Sequence, residues 1–333
     1  MRGIIKFLYL SLLLILTTVF SSTAIAETQN IVMDTSINSI STPSQLPIIK
    51  AKSIIPTLEQ VISLFSLGSG ERTDYDSSIS VIDGDRSLNY FPDPQYSADY
   101  ERAETLSMLD LVSFDKATIY EFYGTWLSNG SREAEFMSRD DAKKIIIDVL
   151  EQFGVSSWDA NIMLYYIDKD DWSTQIENNK EFMTKSIGIS DCKDVYFGLV
   201  FFSHNGIMMD TGDYDLLNQR SITPTKISFL IDEKGLLQAS ISSCYGINEI
   251  TEPKPVLGYD EAVSILDEYY GDLYMSHQIN VAKAEFVYCP YPTSQTEYDI
   301  LPTWKFGIRG FAEGADYIRE YVRIDATSGR ILE

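Results

Sequence analysis

Between residues 138 and 332 one order of element signals occurs twice, and this repetition constrains the fold more than any other feature. Ser138 is a helix N-cap by type, with Asp141 three positions on. Ala142, Ile145, Ile146, Val149, Leu150 and Phe153 then recur at the spacing that places them on one helix face, and Gly154 ends the run. Gly258 and Glu261 take the corresponding places in a second helix. Its Ala262, Ile265, Leu266 and Tyr269 stand 120 positions after Ala142, Ile145, Ile146 and Val149. Strand-like runs follow each helix, at 161–167, 195–203, 226–232 and 236–243, and again at 280–289, 302–309, 317–324 and 330–332. The closing hairpins match as well. Ile231-Asp232 leads through a turn to Gly235-Leu236-Leu237, and Ile324-Asp325 leads to Gly329-Arg330-Ile331-Leu332.

This pattern predicts an α+β fold of two duplicated units, residues 136–250 and 251–333, each with one helix packed on an antiparallel sheet. Val195, Phe197, Leu199 and Phe201 alternate with Tyr196, Val200 and Phe202. A strand apolar on both faces is expected at the centre of a sheet, covered on both sides. Upstream, Pro56 opens a short helix with Leu58, Val61, Ile62 and Phe65 on one face. Residues 56–135 are otherwise turn-rich, with an apolar stretch at 106–126 open to helix or strand, and their fold is unassigned. Residues 27–55, rich in Ser, Thr, Asn and Gln, read as an exposed, flexible leader.

The helix opening Asp260-Glu261-Ala262, the strand Leu301-Pro302-Thr303-Trp304-Lys305-Phe306 and the final Ile-Asp…Gly-Arg-Ile-Leu hairpin resemble the PepSY-type domain. The pattern is also similar to the extracytoplasmic YycI and YycH regulatory proteins, and it covers about residues 136–333. The resemblance implies a non-catalytic module that restrains a peptidase or modulates a membrane sensor kinase. The chain departs from YycI and YycH in carrying an export signal of the cleaved type.

That signal has three parts. Arg2 and Lys6 form the positive start, Phe7 to Phe20 an apolar run, and Ala24-Ile25-Ala26 a small-residue cleavage motif. Cleavage is expected between Ala26 and Glu27. The apolar run falls short of the roughly 20 residues a spanning helix needs. The expected product is a secreted or cell-envelope protein with no stable membrane insertion.

Net charge is −23, and loss of residues 1–26, with two basic residues and no acidic one, takes it to −25. Such a chain repels phosphate backbones, which argues against a nucleic-acid partner. Cys192, Cys244 and Cys289 match no zinc or C-x-x-C spacing, and small, partly buried residues explain them better than a bridge. His204 sits in a turn signal and His277 in a polar stretch, so both read as surface residues. There is no H-E-x-x-H, no phosphate-binding loop, and Gly68-Ser69-Gly70 is not a nucleophile elbow. The acidic clusters at Asp83 and Asp85, at Asp168, Asp170 and Asp171, and at Asp210, Asp213 and Asp215 read as solvated loop charge. Trp172, Leu88 and Pro94 break the calcium-loop pattern where it is tried. No catalytic residue, metal ligand or cofactor is assigned.

The expectation is therefore a non-enzymatic binding or regulatory protein of the bacterial cell envelope, acting on a protein or peptide. The alternative is an extracytoplasmic hydrolase using carboxylates, or a carbohydrate-binding protein. Alternation supplies one candidate surface. Trp304, Phe306 and Ile308 point one way in their strand; Lys305 and Arg309 point the other. In the next strand Ile318, Val322 and Ile324 oppose Tyr317, Arg319, Tyr321 and Arg323. With the two strands adjacent, Lys305, Arg309, Tyr317, Arg319, Tyr321 and Arg323 form an outer basic face suited to an acidic or extended peptide. Glu320 falls on the apolar side and must sit at an edge or find a partner there.

Overall fold

A computed structural model describes residues 30–34, 41–68, 70–75, 78–84, 86–90, 97–102, 132–155, 157–170, 194–210, 226–242, 244–272, 278–309 and 318–332. The export signal, the stretch 106–126, Cys192, His277 and Tyr317 lie outside them.

The architecture is mostly β, 53 % strand and 19 % helix, with three helices among the described residues. In chain order the strands are β1 (Ile31–Met33), β2 (Gln45–Leu46), β3 (Ile49–Ser53), β4 (Glu71–Asp74), β5 (Ile79–Asp83), β6 (Arg86–Tyr90) and β7 (Ser97–Arg102). They continue with β8 (Asp159–Ile167), β9 (Val195–His204), β10 (Ile207–Met208), β11 (Lys226–Asp232), β12 (Gly235–Ser242), β13 (Tyr245–Ile250) and β14 (Lys254–Pro255). The last are β15 (Ile279–Pro292), β16 (Glu297–Arg309), β17 (Ile318–Asp325) and β18 (Ile331–Leu332). A nine-stranded sheet runs β10-β9-β11-β12-β7-β6-β5-β4, with β8 also on β9. A seven-stranded sheet runs β1-β15-β16-β17-β18, and β3 joins β16 while carrying β13. β14 and β2 form a two-stranded ribbon.

This corrects the expected α+β fold of two duplicated units, each a helix on its own antiparallel sheet. The larger sheet takes four strands, β4 to β7, from the region left unassigned. The smaller takes β1 and β3 from the supposed leader, and β13 from the end of the first supposed unit. Strand pairing crosses the expected boundaries because it is decided by distant partners that local periodicity does not encode. The described part of the leader is not an exposed tail. Ile31, Leu46, Ile48, Ile49 and Ala51 are all buried, and burying each larger aliphatic side chain contributes about 1.5–3 kcal/mol.

The helix boundaries follow the sequence closely. The first long helix spans Arg139–Phe153, with the Ser138 hydroxyl accepting from the Asp141 N–H and Gly154 at φ 86° as its left-handed stop. Its buried face of Ala142, Ile146, Val149, Leu150 and Phe153 packs towards β8, β9 and β12. The second, Tyr259–Asp272, buries Ala262, Leu266 and Tyr270 against Trp304, Phe306 and Ile308 of β16. The short helix Leu58–Leu64 starts at a Thr57–Gln60 capping box. β9 is central between β8 and β11, with residues of both faces buried. His204-Asn205-Gly206 makes the tight turn into β10, with φ 52° at Asn205 and 79° at Gly206.

Candidate functional site

β16 and β17 are antiparallel neighbours, and the expected alternation holds from Thr303 to Ile308, after which a register shift sets Arg309 opposite Ile318. Lys305 is opposite Arg323, and Trp304 opposite Ile324. Glu320 does lie over the apolar side, where its carboxylate accepts the Tyr270 hydroxyl at 2.9 Å. The reverse face, however, is not open to solvent. Lys305 is 2 % exposed and Arg323 7 % exposed. Both contact Asp210, whose side chain is fully buried: Lys305 Nζ lies 2.8 Å from Oδ1 and Arg323 Nε 2.7 Å from Oδ2.

Asp210 is delivered by the chain leaving β10. The Met209 N–H donates to the Phe202 carbonyl in the larger sheet, and the Asp210 N–H donates to the Tyr288 carbonyl in β15. A short strap therefore crosses from one sheet to the other and plants a carboxylate between two cations. Lys305 also sits 4.4 Å above the Tyr321 ring and 4.0 Å from Glu285. Burial pushes the Asp210 carboxyl up, but the Arg323 and Lys305 charges and hydrogen bonds outweigh it and hold it at about 2. This arrangement is a buried ion cluster joining two sheets, not a basic docking face. Arg309 is also engaged, at 2.9 Å from Asp34. Arg319 occupies the register shift opposite Ile308 and Arg309 and is half-buried. The expected six-residue surface is thus not assembled as a free patch by the residues described.

Of the other acidic residues singled out, Asp85, Asp171, Asp213 and Asp215 lie outside the described residues, and Asp83 and Asp168 are tied into the fold. Asp83 accepts from the Gly68 N–H and from Arg86; Asp168 pairs with Arg132 at 2.8 Å. No group of His, Cys, Asp and Glu among the described residues is placed to hold a metal. His204 packs edge-on to Trp158 and Tyr288 instead of standing free at the surface. Cys244 and Cys289 are unbridged and buried, and burial pushes both thiols up, away from reactive thiolate.

A different surface is concave. β13, β3 and β16 form a three-stranded platform in which Lys50 is opposite both Glu249 and Asp299, and Lys52 is opposite both Gly246 and Glu297. Period two places Lys50 and Lys52 outward, while Ala51 between them is buried with Tyr298. Tyr245 meets Tyr298 edge to face beneath, at 4.7 Å between ring centres. The outer side is an open groove of about 410 Å³, lined by Lys50, Lys52, Asn248, Glu249, Thr293 and Asp299 among others. Lys50 contacts Asp299 at 2.7 Å and Lys52 approaches Glu297 at 3.6 Å, all four side chains partly or largely solvated. Such exposed pairs contribute little to stability. They present rows of donors and acceptors at cross-strand spacing. Sequence reasoning missed them because β3 lies in the supposed leader, although the alternation Ile49-Lys50-Ala51-Lys52 is the mark of a half-buried strand.

No protein-family model and no curated protein matches this chain. Among solved structures, it is similar to an uncharacterized protein from Eubacterium rectale, with a TM-score of 0.56 and 17 % identity. The likeness covers 93 % of this chain and 92 % of that one, and it speaks to the fold alone.

Proposed function

We propose that this is an extracytoplasmic, non-enzymatic binding protein that recognises a protein or peptide partner through its sheet surface. The observation that carries the reading is the groove on the β13-β3-β16 platform. It is open to solvent, and its carboxylates alternate with lysines at strand spacing. That geometry suits an extended polar segment laid across a sheet better than a small molecule enclosed in a pocket. The basic, apolar and small-residue order of residues 1–26 supports the compartment. With a net charge of −23, the protein as a whole attracts cationic partners over neutral ones.

The test is capture from envelope and secreted fractions with the wild-type chain and with Lys50→Gln/Lys52→Gln, which adds no like charges opposite Glu249, Asp299 and Glu297. Both lysines are solvated, so thermal unfolding should shift little. The expected result is a protein partner retained by the wild type and lost by the double variant. Equal capture by both removes the groove from consideration. Retention of glycan with no protein would replace the peptide-binding reading by a carbohydrate-binding one.

A further inference from the structure

Residues 30–34 are bound to the C-terminal half of the chain as a ligand is bound to a receptor. β1 runs parallel to β15, with Ile31 beside Ile279, Val32 beside Asn280 and Met33 beside Val281. The Ile279 N–H donates to the Asn30 carbonyl at 2.8 Å, and the Asp34 N–H donates to the Val281 carbonyl at 2.9 Å. On the other side, Asp267 of the second long helix accepts from the N–H groups of Asn30 and Ile31, at 2.6 and 3.1 Å. The Asn30 side-chain amide donates to the Asp267 carbonyl at 3.2 Å. Ile31 is 3 % exposed, within the core that holds Ala262, Leu266 and Tyr270. The Asp34 carboxylate closes the set on Arg309 at 2.9 Å.

The seat therefore reads a short extended segment by its backbone, by one apolar side chain at its second position and by one acidic side chain at its fifth. The Asp267 and Arg309 contacts join residues 236 to 275 positions apart. Chain connectivity adds only local concentration to them. β1 is three residues long and buries one side chain fully, so its release opens one short segment and leaves the rest of the sheet paired.

We propose that residues 30–34 form an exchangeable strand, and that the β15 edge with the second long helix is a seat that also accepts this segment from a second copy of the chain. A second copy is the occupant that fits, because its own Ile31 matches the core and its own Asp34 matches Arg309. Reciprocal donation closes a two-fold pair in which each β15 edge stays covered.

Cross-linking tests this on the full chain. Val32 and Asn280 are register partners and both are exposed, so cysteines there perturb little. In a Cys192→Ser background, one copy carries Val32→Cys and a second carries Asn280→Cys. Neither can bridge within itself through the pair. After mixing at high concentration and mild oxidation, the expected product is a mixed disulfide dimer that dominates over either homodimer. Adding Arg309→Glu to the Asn280→Cys copy should reduce it several-fold. The double variant Val32→Cys/Asn280→Cys in one chain reports whether the strand is seated, by bridging internally at low concentration. Internal bridging with no excess of mixed dimer overturns exchange. A mixed dimer indifferent to Arg309→Glu overturns the seat as its route, and failure of the internal bridge overturns the docking itself.

Discussion

Asp210 binds two buried cations at once, and its surroundings set a pH dependence that can be measured. Two cations taken out of water beside it are tolerable only while its carboxylate is charged. Replacing it by Asn removes the charge that both buried cations contact, while Glu285 stays 4.0 Å from Lys305. The expected loss is about 3–5 kcal/mol of stability, read by urea denaturation at neutral pH. In the wild type the folded value of about 2 lies below the ordinary 3.8. The stabilisation is therefore fully present above about pH 4 and is lost as pH falls through the folded value, an amount of about 2 kcal/mol. Asp210→Asn should flatten that part of the acid-unfolding profile. A variant as stable as the wild type would mean that the carboxylate does not hold the cations. The sequence already contains the demand for this residue, since Lys305 and Arg323 alternate with apolar neighbours in a strand. It does not contain the answer, because 49 acidic residues could meet the demand and the one that does sits 95 positions from Lys305.

At the scale of elements, β9 and the first long helix show how close packing fixes composition. A Cβ built at Gly198 would stand 2.6 Å from Ile146 Cδ1 and 3.3 Å from Leu164 Cδ1. Gly198→Ala should therefore destabilise by about 1–3 kcal/mol through overpacking. Ile146→Val removes the offending Cδ1, so adding it should recover part of that loss, a coupling readable in a double-mutant cycle of chemical denaturation. Strictly additive effects would show that helix and strand do not meet there. These elements were legible: the helical spacing of Ala142, Ile146 and Val149 and the two-sided apolar run of β9 need only local periodicity. What covers them was not. β4 reads Glu-Arg-Thr-Asp and is exposed throughout, so no alternation betrays it. β1 is too short to carry a pattern. β7 enters the larger sheet beside β12, pairing Tyr100 with Ala239, a contact that no stretch of sequence encodes by itself. The duplicated-unit expectation failed for this reason: it counted the strands that follow each helix and could not see those supplied from upstream. The candidate basic face failed for a related one, since periodicity separates the two sides of a strand without saying which side meets water.

At the scale of the whole molecule, the larger core among the described residues ignores the division between sheets. One apolar cluster contains Leu88, Phe229 and Ile241 of the larger sheet together with Ile49, Tyr288, Tyr298 and Ile300 of the smaller. Trp158 adds a polar tie, its indole N–H donating to the Tyr245 carbonyl at 2.6 Å, and the Asp210 cluster adds an ionic one. Chains of this length often unfold in steps, because each sheet with its helix can lose structure alone. Here that would expose the shared cluster and strand Lys305 and Arg323 at once, so the two halves should unfold together. Trp158 lies in the shared cluster, and Trp304 in the separate core under the second long helix. With fluorotryptophan incorporated, each indole gives its own fluorine resonance, assignable by Trp158→Phe and Trp304→Phe. Followed through urea, the folded signals of Trp158 and Trp304 should decay with one midpoint and one slope. Separate midpoints would show that the core around Trp304 opens first or last as an independent unit, and that the shared cluster and the Asp210 strap do not bind the sheets into one cooperative body.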